Sequence, residues 1–218
     1  MRPAHITIGP PTFAMTHGVL RDVAEYLPTL LDSIVTQSYP YLEILLVDDG
    51  STDATISIAR RYAKFDRRIR VLQLEHGGNG KARNVAVDHS TGQFLAFADA
   101  DDFVPQKAYQ TMVESLAASG SDFVVGGHTR LQGGRRLAVA MSDKLHADRR
   151  IGISLHDMPE IIHDVFLWNK TYRAEFWRAN VMPIPEGILY EDQETTARAY
   201  VRAACFDVLP EEVYQWRI

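Results

Sequence analysis

Three carboxylates follow an apolar run near the middle of the chain. Phe94 to Ala98 contains only apolar residues, and Asp99, Asp101 and Asp102 come directly after it. Such a run is typical of a strand buried on both faces, and open α/β sheets bind ligands where such strands end. Carboxylate oxygens suit Mg2+ or Mn2+, which proteins commonly share with substrate phosphates. The run therefore predicts a metal-bridged phosphate site, unless these acids merely cap a turn or a helix.

A second acidic strand end lies earlier in the chain. Ile44 to Val47 is another apolar run, and Asp48 and Asp49 follow it. Taken alone, this pattern also makes an ordinary turn from a strand into a helix. Parallel strands open at the same edge of a sheet, so either aspartate is placed to accept hydrogen bonds from a base or ribose there.

A glycine-rich segment, Gly77 to Asn84, lies between the two acidic strand ends. A flexible loop that enters a helix offers backbone amides and the positive helix terminus, and together with Arg83 these suit a pyrophosphate. We therefore place Gly80 and Arg83 in the nucleotide site. The segment is not a Walker P-loop, because Ala82 stands where that motif has Ser or Thr.

A late acidic pair, Glu191 and Asp192, precedes a predicted helix. A carboxylate placed opposite a leaving group can deprotonate an acceptor hydroxyl as a general base. Acidic residues also complement the positive end of a helix, and the spacing does not separate the two interpretations.

Helical and strand patterns alternate through the first half of the chain, which predicts an α/β fold with a mainly parallel sheet. We expect one domain over 1–218, with a nucleotide-binding half at about 1–127 and an acceptor-binding half at about 128–218, and the chain is also consistent with a module of a longer protein. The predicted elements are helices at 26–37, 54–65, 81–89, 106–119, 156–166, 173–180 and 193–204, strands at 44–47, 70–74, 94–98 and 122–126, and a hairpin or loop at 127–150.

Composition limits the partners. The 218 residues are 46% apolar, which fills one core, and the formal charge of -5 argues against a broad nucleic-acid or anionic-membrane surface. We interpret Arg60-Arg61 and Arg67-Arg68 as solvated charges. The single cysteine excludes an intrachain disulfide and fits a reducing cytoplasm, and no run of 18 apolar residues predicts a membrane span.

The ordered set of motifs resembles the family 2 glycosyltransferases over about residues 25–214. The motifs are Val47 to Asp53, Gly80 to Asn84, Asp99 to Asp102, Trp168-Asn169-Lys170 and Glu191-Asp192. The resemblance implies an inverting transferase with a three-layer α/β/α GT-A fold. Such an enzyme takes its sugar from a nucleotide-sugar donor, most often a UDP-sugar, and uses Mn2+ or Mg2+.

The resemblance also implies a role for each motif. It places Asp48 and Asp49 by the uridine, Arg83 near the nucleotide, Asp99 near the ribose or metal, Asp101 on the metal, and Asp192 as the catalytic base beside Glu191.

The segment Phe166 to Arg173 resembles one found in members that build cell-wall and capsular polymers, including those fused to teichoic-acid glycerophosphotransferases. The implied acceptor is a glycan or a polyol phosphate, with Trp168 stacked on a sugar and Lys170 near a phosphate. A core aromatic and a solvated charge remain the alternatives for these two residues. We assign Asp102 to substrate binding as well, and we expect any contact with the inner face of the plasma membrane to come from other domains.

The start of the chain departs from the family pattern. The expected opening strand corresponds to Ile6 to Phe13, and Ala14 to Arg21 then intrudes before the first helix. This departure favours an alternative function, a degenerate nucleotide-sugar-binding module without catalysis, whereas Asp101 and Asp192 favour the enzyme. A histidine that often completes the metal site of this fold has no counterpart, because none of the eight histidines follows His163.

Overall fold

The computed structural model describes residues 13–17 and 20–218, and one β-sheet forms the centre of this part. The strands are β1 (Phe13–His17), β2 (Leu42–Asp48), β3 (Ile69–Gln73), β4 (Phe94–Ala98), β5 (Phe123–Gln132), β6 (Arg135–Leu137), β7 (Arg150–Ile153), β8 (Lys170–Arg173) and β9 (Phe206–Arg217). The helices are α1 (Leu27–Val35), α2 (Thr55–Phe65), α3 (Gly78–His89), α4 (Ala108–Ser119), α5 (Ala140–Leu145), α6 (Ala174–Phe176) and α7 (Glu191–Arg202). No helix in the described ranges is long and apolar enough to cross a membrane.

The sheet has a parallel half and a mixed half. Its strand order is β3-β2-β1-β4-β8-β5-β9-β7, with β6 paired to β5. The strands β1 to β4 are all parallel, as the helix and strand pattern predicts. Strand β8 is antiparallel to both β4 and β5, and β9 runs parallel to β5.

Helices cover both faces of the sheet. Ile44 and Leu46 of β2 belong to the hydrophobic cluster that contains the buried residues of α1 and α4. Their neighbour Leu45 faces the other way and packs with Ala82 and Ala86 of α3. Because side chains alternate along a strand, this division gives three layers with the sheet in the middle.

Strand β1 occupies the centre of the parallel half. The sequence predicted the opening strand at Ile6 to Phe13, and residues 6–12 lie outside the described residues. The structure shows a strand at Phe13–His17, which pairs with β2 on one side and β4 on the other. The segment interpreted as an intrusion therefore supplies a central strand.

Two predicted helices in the second half are wrong. Between residues 156 and 166 the structure has only a 3-10 turn at Pro159–His163, and 173–180 becomes the short α6 followed by a π turn at Trp177–Val181. The strand β8 was not predicted, since its sequence begins with a lysine. That lysine is neutralised by a buried aspartate, which the local sequence does not indicate.

Helix α3 begins three residues earlier than predicted, at Gly78, because Asp49 caps it. The Asp49 carboxylate accepts hydrogen bonds from the backbone amides of Gly77 at 2.7 Å and Gly78 at 3.0 Å. Amides at a helix start lack partners within the helix, so this carboxylate from the end of β2 stabilises the first turn.

The first turn of α3 packs against the proline-rich connector that leads to α7. A Cβ atom at Gly80 would lie 2.1 Å from the carbonyl oxygen of Pro185. Asn84, one turn later, donates to the Ile184 carbonyl at 2.9 Å and accepts from the Ile184 amide at 2.9 Å. The glycine and the asparagine together hold the connector on α3.

We predict that Gly80→Ala destabilises the protein by about 1–3 kcal/mol, because the added methyl group displaces the connector. Chemical denaturation measures the free energy of unfolding. Asn79→Ala, at an exposed position of the same turn, is the control and should stay within about 0.5 kcal/mol of the wild type. Equal stabilities for Gly80→Ala and the control would contradict the predicted contact.

Candidate functional site

The two acidic strand ends meet at one edge of the sheet. The β1 residue Thr16 is paired in register with Leu45 of β2 and with Phe97 of β4. Asp48 lies three residues beyond Leu45 and Asp99 two residues beyond Phe97, so both follow the carboxyl ends of parallel strands at almost the same height. This edge is where open α/β sheets bind ligands.

Arg83 connects this edge to the first turn of α7. Its Nη2 donates to Asp99 Oδ1 at 2.9 Å, and its Nη1 donates to Glu191 Oε1 at 2.6 Å. The arginine is only 4% exposed, and its Nε has no hydrogen-bond partner within the described part of the chain. One buried guanidinium thus joins α3, the end of β4 and α7.

The two carboxylates keep Arg83 charged despite its burial. Burial favours loss of the proton, but Asp99 and Glu191 more than offset this effect and raise the pKa of Arg83 above its usual value. Removing one partner of such a buried pair leaves an uncompensated charge, which is strongly destabilising. The ion bridge therefore fixes the position of Glu191 and of the residue that follows it.

Asp99 and Asp101 form the accessible part of the acidic strand end. The Asp99 side chain is 35% exposed, and Asp101 is half-buried. Burial raises the pKa of Asp101, and the negative charge of Asp99 adds to this effect. A bound cation would favour the ionised form of both groups.

The donor set of this strand end fits a metal that also takes ligands from a substrate. Within the described ranges no three His, Cys, Asp or Glu residues are arranged to hold a metal by themselves. Mg2+ and similar hard cations commonly use one or two protein carboxylates and complete their shell with water and substrate phosphates. Asp99 and Asp101 supply such a pair.

Asp192 occupies the second position of α7, directly after the glutamate that Arg83 holds. It is half-buried, and burial raises its pKa, while Arg83 lowers it and Glu191 raises it further. A carboxylate with a raised pKa is a stronger base than an ordinary aspartate. Tyr190, just before the helix, has a φ of 61° and is 70% exposed.

Asp102 lies on the buried side of the strand end and supports the site instead of facing a ligand. It is 1% exposed and accepts hydrogen bonds from the Tyr214 hydroxyl at 2.8 Å and the Arg217 amide at 2.7 Å. Burial and the charge of Asp99 raise its pKa to about 8. The assignment of Asp102 to substrate binding is therefore corrected, because its carboxylate is enclosed.

Trp168 is a core aromatic. It is 6% exposed and stacks between Phe166 at 4.4 Å and Tyr214 at 4.3 Å between ring centroids. The Tyr214 hydroxyl in turn accepts a hydrogen bond from the Asp99 amide at 2.8 Å. The indole thus supports the strand end through Tyr214, and the structure offers no open face for the sugar that the sequence predicted there.

Lys170 is fully buried, so the structure places it neither in solvent nor at a substrate phosphate. Its Nζ lies 2.5 Å from Asp164 Oδ1 and also donates to the Phe166 carbonyl and the Asn169 side chain. Burial lowers the pKa of Lys170, and Asp164 partly offsets this effect. Four oxygen contacts, including the Asp164 carbonyl, take up its ammonium group.

The remaining predicted nucleotide residues are also enclosed in this structure. Asp48 is 2% exposed and accepts a hydrogen bond from the Ser51 amide at 3.4 Å. The Asp49 carboxylate caps α3 and also lies 2.6 Å from Nδ1 of His76. Gly80 lies under Pro185. Of the residues predicted from sequence, Asp99, Asp101 and Asp192 are the ones left partly accessible here, and Arg83 and Glu191 join their two elements.

Sequence reasoning missed Arg217. Its Nε donates to the Asp101 carbonyl at 2.5 Å, and its guanidinium lies 5.2 Å from the Tyr26 ring centroid. Its positive charge lowers the pKa of Asp101, against the effect of burial. No motif marks this arginine, because β9 brings it to the site from a distant part of the chain.

Comparison with known sequences decides the family. The sequence model described as "Glycosyl transferase family 2" matches residues 19–177. The chain belongs to glycosyl transferase family 2. The match includes the acidic ends of β2 and β4 and Arg83, which bridges the end of β4 to α7.

Similar glycosyltransferases and a solved structure agree with this assignment. The chain is 28% identical to glycosyltransferase GlyA of Streptococcus pneumoniae (90% of this chain, 29% of GlyA). It is 30% identical to EpsJ of Bacillus subtilis, described as an uncharacterized glycosyltransferase (90% of this chain, 58% of EpsJ). It is 29% identical to the poly(ribitol-phosphate) beta-N-acetylglucosaminyltransferase TarS of Staphylococcus aureus (88% of this chain, 33% of TarS).

The crystal structure of TarS 1-349 in complex with UDP-GlcNAc superposes with a TM-score of 0.84 at 28% identity, covering 95% of this chain and 58% of that one. The GT-A fold expected from the resemblance is therefore confirmed. The chain spans between 29% and 58% of the length of GlyA and EpsJ.

His128 packs against the aromatic stack, and its burial predicts that stability depends on pH. The histidine is 5% exposed, its ring lies 4.9 Å from Trp168, and burial lowers its pKa to about 4. The unfolded chain takes up this proton near pH 6.5. The contribution of His128 to stability is therefore fully present above that pH and is lost as the pH falls towards 4.

We predict that His128→Gln removes up to about 3 kcal/mol of this loss between pH 6.5 and 4, measured by denaturant unfolding at a series of pH values. His163→Gln, at an exposed histidine, is the control and should follow the wild type. Parallel curves for the wild type and His128→Gln would show that His128 does not titrate in this range.

Proposed function

We propose that this chain is an inverting, metal-dependent glycosyltransferase domain that moves a sugar from a UDP-sugar to a hydroxyl group of a cell-surface polymer. One observation carries the proposal. Through Arg83, the fold brings an acidic strand end suited to a metal and a diphosphate next to a carboxylate suited to general base catalysis. A displacement at a sugar carbon needs both groups, one for the leaving diphosphate and one for the attacking hydroxyl.

A UDP-sugar donor is supported by the solved relative. TarS has been crystallised with UDP-GlcNAc, and its fold matches 95% of this chain. The donor would bind at the edge where β2 and β4 end. Because Asp48 and Asp49 are enclosed, recognition of the uracil base by either group requires a local change of the turn after β2.

Asp101 and Asp99 are the residues that would hold Mn2+ or Mg2+. When bound, the metal supplies positive charge to the departing nucleoside diphosphate. Arg83 contributes a second positive charge at the same strand end, where it already pairs with Asp99. Asp102, Tyr214 and Trp168 keep that strand end in place from the buried side.

Asp192 is the proposed general base. The ion pair between Glu191 and Arg83 holds the first turn of α7, and so limits where the Asp192 carboxylate can lie. Asp192 takes the proton of the acceptor hydroxyl while that oxygen attacks the anomeric carbon from the face opposite the leaving diphosphate. One displacement of this kind inverts the configuration at that carbon.

The proposed acceptor class is supported by a relative and by the surface beside the base. TarS is named for transfer to poly(ribitol phosphate), so we propose a polyol-phosphate or polysaccharide acceptor. Leu189 and Tyr190, which precede α7, are 85% and 70% exposed. An exposed tyrosine next to a base offers an apolar ring face for a sugar or polyol chain. Further domains of a longer protein would complete this recognition.

The alternative function, a nucleotide-sugar-binding module without catalysis, rested on an atypical start of the chain. The central position of β1 removes the main structural argument for it, since the sheet keeps its central strand. The accessible Asp192 and its raised pKa favour the enzyme.

We predict that Asp101→Asn weakens Mn2+-dependent UDP binding at least about tenfold, because half of the carboxylate pair is lost. We predict that Asp192→Asn leaves UDP binding unchanged and lowers sugar transfer by about 100-fold or more. Titration calorimetry with UDP, with and without Mn2+, measures the first effect, and radiolabelled sugar transfer from UDP-sugars measures the second.

Asp148→Asn, at an exposed loop position, is the matched control and should behave as the wild type in both assays. CDP and GDP titrations test the choice of base. Equal loss of UDP binding in Asp101→Asn and Asp192→Asn would contradict the division of roles, and no nucleotide binding by the wild type would favour the module without catalysis.

A further inference from the structure

A basic and aromatic surface lies at the opposite edge of the sheet from the candidate site. Helix α2 returns from the end of β2 towards the start of β3, so its last residue, Phe65, lies where the parallel strands begin. Phe65 is 87% exposed, and Tyr41 nearby is 46% exposed. We call this surface the Phe65 patch, which consists of Tyr41, Arg61, Lys64, Phe65 and Arg67.

Phe65 stands between two depressions. One, of about 680 Å³, is lined by residues from Tyr41 to Glu43, Phe65 to Arg68 and Arg70. The other, of about 480 Å³, is lined by Val35, Arg61, Tyr62, Phe65 and Asp66. The phenyl ring therefore projects from the surface with arginines on both sides.

The cations of the patch are not neutralised by neighbours. Arg61, Lys64 and Arg67 are exposed, and none has an ion-pair partner among the residues that the structure describes. Two of the acidic residues beside them are paired with other arginines, and a third, the exposed Asp32, keeps its charge.

Asp66 binds Arg68 at 2.6 Å, and Glu43 binds Arg70 at 2.8 Å. A third acid, Asp32, accepts a hydrogen bond from the Tyr62 hydroxyl at 2.7 Å. The patch is thus locally positive on a chain with a formal charge of -5.

This combination fits one kind of partner best. A polyanion in solution would need the cations but not an almost fully exposed phenyl ring. An anionic bilayer needs both, since lysine and arginine are attracted to its charged headgroups and an aromatic ring is buried at the headgroup level. A protein partner would be expected to meet a larger continuous apolar area than one phenyl ring and one tyrosine.

We propose that the Phe65 patch binds the surface of an anionic lipid bilayer, with Phe65 inserted among the headgroups. The interpretation of Arg60-Arg61 and Arg67-Arg68 as solvated charges is then incomplete for Arg61 and Arg67, because their position around Phe65 is known only from the fold. In this orientation the strand ends that carry Asp99 and Asp48 open away from the bilayer, at roughly 20 Å from the patch, the length of a six- or seven-residue strand. The site therefore faces the aqueous phase.

Vesicle co-sedimentation tests the proposal. Vesicles of phosphatidylcholine alone are compared with vesicles that also contain phosphatidylglycerol, at low and at high salt. We expect the wild-type chain to bind only the anionic vesicles and to be released by salt. Phe65→Ser and the double variant Arg61→Glu/Arg67→Glu should each lower the apparent binding constant for the anionic vesicles about tenfold.

Matched controls alter the same residue types elsewhere on the surface. Val201→Ser removes another exposed apolar side chain, and Arg135→Glu/Arg202→Glu reverses two other exposed cations. Both should bind as the wild type does. All changed positions are exposed, and circular dichroism confirms that each variant folds.

Three results would overturn the proposal. The first is that the wild type binds neither kind of vesicle, and the second is that the control variants lose as much binding as the patch variants. The third is that soluble inorganic polyphosphate displaces the wild type completely from anionic vesicles while Phe65→Ser binds them unchanged. The last result would identify the patch as a polyanion site. Because no sugar transfer is measured, the outcome is independent of the proposed function.

Discussion

The buried guanidinium of Arg83 is the interaction on which the arrangement of the site depends. It reaches from α3 to a carboxylate at the end of β4 and to a second carboxylate at the start of α7. Without Arg83, the buried Glu191 would keep its charge in a poorly solvated position, and without Glu191 the guanidinium would lose one of its two hydrogen-bond acceptors. The strand end and the helix start are therefore held together by an electrostatic requirement, and their accessible neighbours Asp101 and Asp192 take their positions from it.

Beneath this bridge lies a layer of enclosed polar and aromatic groups that supports the strand end. Tyr214 accepts from the Asp99 amide, donates to Asp102 and stacks on Trp168. Close by, Asp164 binds both Lys170 and His146 in a fully buried cluster. Several residues whose types suggest ligand contact thus hold other residues in position. The groups left accessible to a substrate are fewer, and they lie where the parallel strands end.

The sequence predicts the elements whose stability is local. Strand β4 was predicted with its observed bounds and α2 with one residue of difference, because apolar spacing and turn residues define both. Residues whose roles depend on distant partners were not predictable in this way. Asp164 precedes Lys170 by six residues, yet no local pattern indicates that the two form a buried pair, and nothing near Asp49 indicates that it caps α3. The acidic motifs predicted that the ends of β2 and β4 lie at one edge of the sheet, as the structure shows, whereas Arg217 reaches that edge only through the pairing of β9 with β5.

The most direct test of the central claim is a double-mutant cycle on the Arg83–Glu191 pair. The free energy of unfolding would be measured by denaturant titration for the wild type, Arg83→Met, Glu191→Met and the double variant. We predict that each single variant is strongly destabilised and that the double variant loses about 1–3 kcal/mol less than the two single losses together, since neither charge is then left alone. Additive losses would contradict the claim that this ion bridge holds α7 at the end of β4.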